Sequence, residues 1–447
     1  MNEFTVSAEA RGRLELLRPD NLAFNARHPG ERPGRQPVHV VYGGGHLFRA
    51  DTASRLGAVA RKALADYASD ATTLDAALGL GVHAGAVYAR IQEKLVREPV
   101  EDYRIDFEDG YGSRPDAEED GHVTFAAREV AAGLKGGTLP PFIGIRIKPL
   151  NEELRARSIR TLHIFLATIM GEAGRLPPNF VITLPKISLP EQVAAFADVL
   201  GTLERELGLE SNALRFEVMI ETPQVVVSAD GRSPLPLLLD AAAGRLSAAH
   251  FGTYDYTAGL GITAAHQRMR HPACDFAKQM MQVAYAGTGI WLSDGSTAVL
   301  PVPLHRAAEG THLTAQQEAW NRDSVHAAWK LHFDDVRHSL ANAFYQGWDL
   351  HPAQLVTRYA AVFSFFVEGL DAAGDRLRNF VTKAAQATLV GDVFDDAATG
   401  QGLLNYFLRA INSGAVTEAE AVARSGLSVA EIRGRSFVAI LKARGKG

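Results

Sequence analysis

Short runs of β-branched and aromatic residues alternate along the chain with longer stretches whose apolar residues recur three and four positions apart. These are the periods of strands and of amphipathic helices. The strand-like runs are VHVVY (38–42), YRIDFED (103–109), PFIGIRI (141–147), NFVITLPKI (179–187), RFEVMIET (215–222), SAAHFGTYDY (247–256), GIWLSDG (289–295) and GWDLHP (347–352). The last carries the weakest strand signal. Between them lie TASRLGAVARKALADYA, RSIRTLHIFLATIM and PEQVAAFADVLGTLERELG, all of helical period. Strand and helix in alternation predict a parallel sheet. Eight such units predict a closed (β/α)8 TIM barrel, an α/β fold. The segment 296–347 is long for one unit and predicts an extra loop beside its helix.

The pattern divides the chain into an N-terminal arm (1–37), a TIM-barrel catalytic domain (38–372) and a C-terminal helical extension (373–447). The arm is rich in Arg, Pro and Asn, has little periodicity and reads as an irregular lead-in. From 353 onward only helices are predicted. HPAQLVTRYAAVFSFFVEGL is amphipathic, and GQGLLNYFLRAINSG ends on Gly414. Thr417 with Glu420, and Ser428 with Glu431, fit the capping box that satisfies the first free amides of a helix. The segment 417–447 carries six basic and three acidic residues, and a turn at Gly426 separates its helices. A DNA-binding helix pair would look similar, but such pairs are most often structural.

Composition narrows the picture without redirecting it. The 447 residues are 47% hydrophobic and 22% charged, ordinary globular usage. With 46 Lys plus Arg against 51 Asp plus Glu, the net charge is −5, so an overall basic nucleic-acid footprint is absent. The single Cys274 excludes an intrachain disulfide and any multi-cysteine metal site. No apolar run approaches the roughly 20 residues that span a bilayer, and the first residues do not read as a signal peptide. The expectation is a cytoplasmic protein with no membrane and no nucleic-acid partner.

Polar residues crowd the strand ends. In YRIDFED, Ile105 and Phe107 share the face suited to helices, while Asp106 and Glu108 share the other and Asp109 follows. In IGIRIKPL, Arg146 and Lys148 alternate with Ile145 and Ile147 and are expected to face inward. The next strands end near Lys186, Glu221, Asp255, Asp294 and His351. One strand-end carboxylate is ordinarily a cap or a surface ion pair. Seven successive strands ending in ionisable groups at one mouth describe an active site, because such barrels react at that mouth. Glu221 and Asp255 suit a hard divalent ion, Mg2+ or Mn2+, which takes one or two carboxylates together with waters and substrate oxygens. Arg146 offers a planar fork to a carboxylate or a developing enolate oxygen. Lys186 suits an ion pair with the mouth carboxylates better than a Schiff base. His46 is a candidate acid/base group, and Gly44 and Gly45 beside it could expose amides to an anion. Asp294 is a candidate substrate contact. His351 reads as architecture, and Tyr254 and Tyr256 as packing.

At these residues the chain resembles the HpcH/HpaI aldolase and citrate lyase β-subunit superfamily, including the malyl-CoA lyases. The likeness covers roughly 38–372. IDFEDGYG resembles that family's second-strand acidic motif, IGIRIKPL its third-strand Arg motif and LPKI its L-P-K motif. MIETPQ, HFGTYDYTAGLG and GWDLHPAQ resemble its E-T-P, G-x-x-D and I-H-P-x-Q segments. Six motifs in the correct order are specific. The resemblance implies Mg2+ at Glu221 and Asp255, with Glu108 and Asp109 close by. It also implies that Arg146 polarises a carbonyl or stabilises an enolate, and that the barrel assembles as a trimer or hexamer. The chain departs from the family at GGGHLF after the first strand and in its length, and it shows no recognisable C-terminal lid segment.

The implied activity is a Mg2+-dependent carbon–carbon lyase or aldolase acting through an enolate of a 2-oxo acid or a CoA thioester. Phosphoryl transfer involving phosphoenolpyruvate uses the same logic on a related barrel. A non-catalytic barrel used as a binding module is the third reading, and it alone tolerates Glu221→Ala.

Overall fold

Eight parallel strands close into a barrel in the order of the sequence, β1 to β8, with β8 returning to pair β1. The computed structural model describes residues 7–32, 34–382, 388–390, 393–395 and 397–444. The strands are β1 (His39–Gly44), β2 (Asp102–Asp106), β3 (Phe142–Arg146), β4 (Phe180–Leu184), β5 (Arg215–Ile220), β6 (Leu246–Phe251), β7 (Trp291–Ser296) and β8 (Gln346–Asp349). All eight predicted strands are present, the weakly signalled eighth included.

Alternation sorts the strand residues as the pattern demands. Ile105, Ile145, Ile182, Val218 and Phe251 are fully buried under the surrounding helices. The interior face is unusual for such a barrel, which is commonly filled by branched apolar side chains. Here Arg104 is buried within it. Its Nε donates to Glu217 at 2.8 Å and to Thr183 at 3.1 Å, and its Nη2 donates to Glu217 at 2.9 Å. Its Nη1 pairs with Asp102, and His250 Nε2 lies 2.9 Å from Glu217. Gly144, paired in register with Arg104, leaves room for that side chain. A Cβ there would lie 3.3 Å from Arg104 Cδ and far closer to the carbonyl of Val181.

The long segment before β8 holds the expected helix, Ala315–Ala341, preceded by a loop. The predicted caps at Thr417 and Ser428 both form, and Gly426 ends its helix in the left-handed region. Two expectations differ. The lead-in contains the helices Ala8–Glu15 and Arg18–Arg27, whose weak amphipathicity gave no signal because none of the second helix's residues is buried. Beyond 353 the chain is not purely helical, since Thr388–Val390 and Val393–Asp395 pair as antiparallel strands β9 and β10.

A helix of 29 residues, Gln354–Thr382, follows β8. The helices after it meet the barrel at the N-terminal end of the strands. Arg409 lies over the Tyr345 ring, just before β8, and pairs with Glu31 of the lead-in at 2.5 Å. That end is opposite the mouth where the strand-end ionisable groups gather. Among the described residues no helix is long and apolar enough to cross a membrane.

Candidate active site

The mouth is built around one lysine. Lys186 follows β4 with φ of +50°, a left-handed conformation that non-glycine residues rarely hold without support. Support comes from β5. The Lys186 amide donates to Glu221 Oε1 at 2.7 Å, and the Thr222 hydroxyl donates to the Ile187 carbonyl at 2.6 Å. The strained turn aims the ammonium at the end of β2. There Nζ pairs with Glu108 and with Asp109 at 2.9 Å, and it lies 3.8 Å from Asp255. Burial alone would lower the pKa of Lys186, but Glu108 and Asp109 outweigh it and hold the ammonium well above its ordinary range. A permanently charged amine is a poor Schiff-base nucleophile, so the ion-pair reading is the one the geometry supports.

Glu221 is 3% exposed, whereas the Asp255 side chain is 43% exposed. Burial, then the charges of Asp255 and Glu108, push the Glu221 carboxyl up to about 8. Burial also raises Asp255, with Asp109 adding and Lys186 opposing. Glu108 is raised by burial first, and its Oε2 is buried with no hydrogen-bond partner. Four carboxylates therefore share one lysine and the Nη1 edge of Arg146. That imbalance fits a divalent cation, and the all-oxygen donor set fits Mg2+ or Mn2+. Among the described residues no three His, Cys, Asp or Glu side chains are placed together to hold a metal ion. Gly252 keeps Glu221 in place, because a Cβ there would lie 2.3 Å from Glu221 Oε2. Gly252→Ala is expected to displace that carboxylate. The added Cβ would also lie 2.5 Å from Glu221 Cβ, so the melting temperature should fall, and any rise on adding Mg2+ should shrink to near zero.

Arg146 is buried and largely committed. Its Nε and Nη2 grip the two oxygens of Asp106 at 2.7 and 2.5 Å. Its guanidinium lies 4.7 Å over the Tyr42 ring and 5.4 Å over Trp348. Nη1 is left, 3.1 Å from Glu108 Oε2 and in weak contact with the Met219 thioether at 3.7 Å. Asp106 also accepts from the amides of Glu108 and Gly110, at 2.9 and 2.7 Å, so one carboxylate fixes both the arginine and the acidic turn. The Tyr42 hydroxyl and the Trp348 Nε1 are buried without partners. Neither stands out in the sequence, where Tyr42 closes the run VHVVY and Trp348 lies within GWDLHP.

Other candidates separate. His46 lies 5.6 Å ring to ring from Tyr111 and 5.8 Å from His122, and its Nδ1 is buried without a partner. Burial, then Arg114 and His122, lower its pKa, which favours the neutral ring. Gly44 and Gly45 approach the protein's own chain. A Cβ on Gly44 would lie 2.5 Å from the Gly110 carbonyl, and one on Gly45 2.3 Å from the Phe107 ring. Their glycine character is thus accounted for by packing against the turn after β2.

Asp294 requires a correction. It faces the helix layer, where its carboxylate is bound by Lys278 at 2.9 Å and Ser339 at 2.6 Å, because the inward position on β7 belongs to Ser293, which pairs His250 in register. Lys148 is likewise turned outward, onto Glu119 at 2.7 Å. Asp255 is not at a strand end. β6 stops at Phe251, and Asp255 sits in the first turn of the helix Thr253–Gly259. His351 accepts from the Ala353 amide at 3.2 Å and starts the next helix, and Tyr254 donates to the Ser296 carbonyl at 2.9 Å. Both are architectural.

A family described as "Domain of unknown function (DUF6986)" matches residues 17–440. No curated protein matches the sequence. Among solved structures, a citrate lyase from Burkholderia xenovorans LB400 superposes with a TM-score of 0.55 at 18% identity, covering 89% of this chain and 98% of that one. A Haloferax volcanii malate synthase in complex with magnesium and glyoxylate gives 0.45 at 14% identity, covering 89% and 97%. The protein CitE from Mycobacterium tuberculosis, in complex with magnesium, acetoacetate and coenzyme A, gives 0.44 at 15% identity, covering 88% and 99%. The first of these shows a shared fold, that of the citrate-lyase-like barrels.

Proposed function

Because the chain belongs to the DUF6986 family, whose description names no activity, its chemistry has to be read from the mouth of the barrel, and we propose that it is a Mg2+-dependent carbon–carbon lyase or aldolase acting through an enolate of a 2-oxo acid or an acyl-CoA. One observation carries the reading: a buried glutamate pushed up to about 8 beside a second carboxylate, in a mouth with too few cations for its acids. Glu221 and Asp255 would hold Mg2+, or Mn2+ in its place. The ion supplies Lewis acidity toward the carboxylate and keto oxygens of the substrate.

The chain's own groups do the rest. Arg146 presents Nη1 to the oxygen on which charge develops, in a direction fixed by its two bonds to Asp106. Lys186 holds Glu108 and Asp109 in position. Asp109 is kept below its ordinary range because the bonds and charge of Lys186 overcome burial. The proton of the C–H bond next to the carbonyl goes to a base, for which His46, directly after β1, is the candidate this chain offers. The electron pair of that bond moves into the carbonyl oxygen, and the enolate carbon then attacks an aldehyde or ketone. Cleavage is the reverse. The fold of the citrate lyase barrel and the order of the six motifs support this reading.

Proton exchange at the pyruvate methyl group in D2O, followed by NMR, tests it. Exchange is expected with Mg2+ and should stop with EDTA. Absence of exchange with Mg2+ present would remove free pyruvate as the enolised substrate and transfer the same assay to the acetyl-CoA methyl group.

A further inference from the structure

The opposite end of the barrel holds arginines without counter-ions. The lead-in crosses that end. Gly30 donates its amide to the Gly287 carbonyl at 2.8 Å, Arg32 Nη1 to the Ser247 carbonyl at 3.2 Å and Gln36 Nε2 to the Leu292 carbonyl at 3.0 Å. The Arg32 guanidinium lies 4.5 Å over the Trp291 ring. Arg215, the first residue of β5, shares the same cavity. Its Nη2 makes one long bond to the Leu246 carbonyl at 3.4 Å, and its Nε is buried with no acceptor.

The acids nearby are engaged elsewhere. Glu31 pairs with Arg409 at 2.5 Å, Asp240 with Arg27 and Glu204 with Arg245 at 2.6 Å. Asp102 and Glu217, in the floor, are gripped by Arg104. The charges that Arg32 and Arg215 sense are other arginines. Burial, then Arg215, lowers Arg32, and burial, then Arg245, lowers Arg215. Both arginines are half-buried, and charges of one sign drawn partly out of water without a carboxylate partner are unfavourable, whereas guanidinium forks match planar and tetrahedral oxyanions. The cavity has room for such a group. A space of about 250 Å3 lined by Arg32 and Arg215 adjoins an open one of about 1120 Å3, where Arg435 joins them. Arg435 donates to the Glu31 carbonyl at 2.9 Å and has no carboxylate partner among the described residues.

We propose that this cavity is a binding site for a small oxyanion, the carboxylate or phosphate group of a metabolite, held by Arg32 and Arg215 at the end of the barrel away from the carboxylate mouth. The ligand would tie the lead-in to β5 and so set how firmly the N-terminal end of the barrel is closed.

Titration calorimetry with inorganic phosphate and with malonate, in EDTA and against sodium chloride of equal ionic strength, tests the site. Saturable binding of one anion per chain is expected. It should weaken about tenfold or more in Arg215→Leu, the loss of a charge-assisted pair of bonds. Arg32→Leu, on the lead-in and outside the strands, should weaken it similarly and guards against a folding defect at β5. Binding should persist in Glu221→Gln, which separates this site from the mouth. Preference for phosphate would assign a phosphoryl ligand, and preference for malonate a carboxylate one. Absence of binding for both, or binding unchanged in both arginine variants, would overturn the proposal.

Discussion

Glu221→Gln is expected to abolish metal-dependent exchange of the pyruvate methyl protons, by roughly a thousandfold or more, while making the metal-free protein more stable above neutral pH. The two effects have one cause. Glu221 is buried beside Asp255 and Glu108, and its carboxyl is raised from its ordinary 4.5 to about 8. Between those values the folded chain binds more protons than the unfolded one. Metal-free stability therefore falls as pH rises through that window, by about 3–5 kcal/mol in all. The glutamine keeps the shape and removes the charge, so the slope should flatten. Mg2+ should restore stability to the parent at pH 8 and do little for the variant. Melting curves between pH 5 and pH 9, with Mg2+ and with EDTA, give the answer. A parent whose metal-free stability is level across that range would show that Glu221 is not held against its charge. A Glu221→Gln variant with full exchange activity would sink the metal-site reading altogether.

The second large effect is structural. Arg104→Leu should lower the melting temperature by about 3–5 °C, or leave the chain insoluble. Arg104 pairs with both Asp102 and Glu217 inside the barrel, and all three side chains are buried. Removing one member of a buried ionic set commonly costs about 3–5 kcal/mol, because the charge left behind has no solvent. Adding Glu217→Gln to Arg104→Leu should recover part of the loss, since the uncompensated carboxylate disappears. An Arg104→Leu variant that melts within about 1 °C of the parent, the effect of roughly 1 kcal/mol in a chain of this length, would mean that water already screens this interior.

Much of this was readable from alternation alone. Period-two patterning placed Ile105, Phe107 and Ile145 against the helices, and it put Asp106 and Arg146 inside together, where they pair. The same rule reaches further than it was applied. Arg104 stands two residues before Asp106, and Glu217 two before Met219, so both belonged to the interior face and announced a charged barrel core. Asp294 failed for the opposite reason. Its place near a strand end suggested the mouth, but the register with His250 gives the inward position to Ser293. For Asp255, composition could not reveal that β6 stops at Phe251 and that a helix then brings the carboxylate back over Lys186. The charge balance of the mouth is a property of three dimensions. No spacing in the chain states that Glu108, Asp109 and Asp255 would converge on one ammonium. The lead-in helices escaped because they bury nothing that would impose a period.

The rings under Arg146 belong to the two strands that join the barrel's beginning to its end. Tyr42 is on β1 and Trp348 on β8, and these strands pair with each other. During synthesis, β1 therefore waits for some 300 residues of chain before its outer edge is covered, an interval of roughly 15 to 60 s at ordinary ribosome speeds. Until then the nascent chain carries an open strand edge, the kind of surface that recruits other chains, and Arg146 lacks half of its aromatic platform. Closure of the ring and completion of the aromatic platform thus coincide, and a ribosome that stalls before β8 releases a chain with a sticky border and an incomplete mouth.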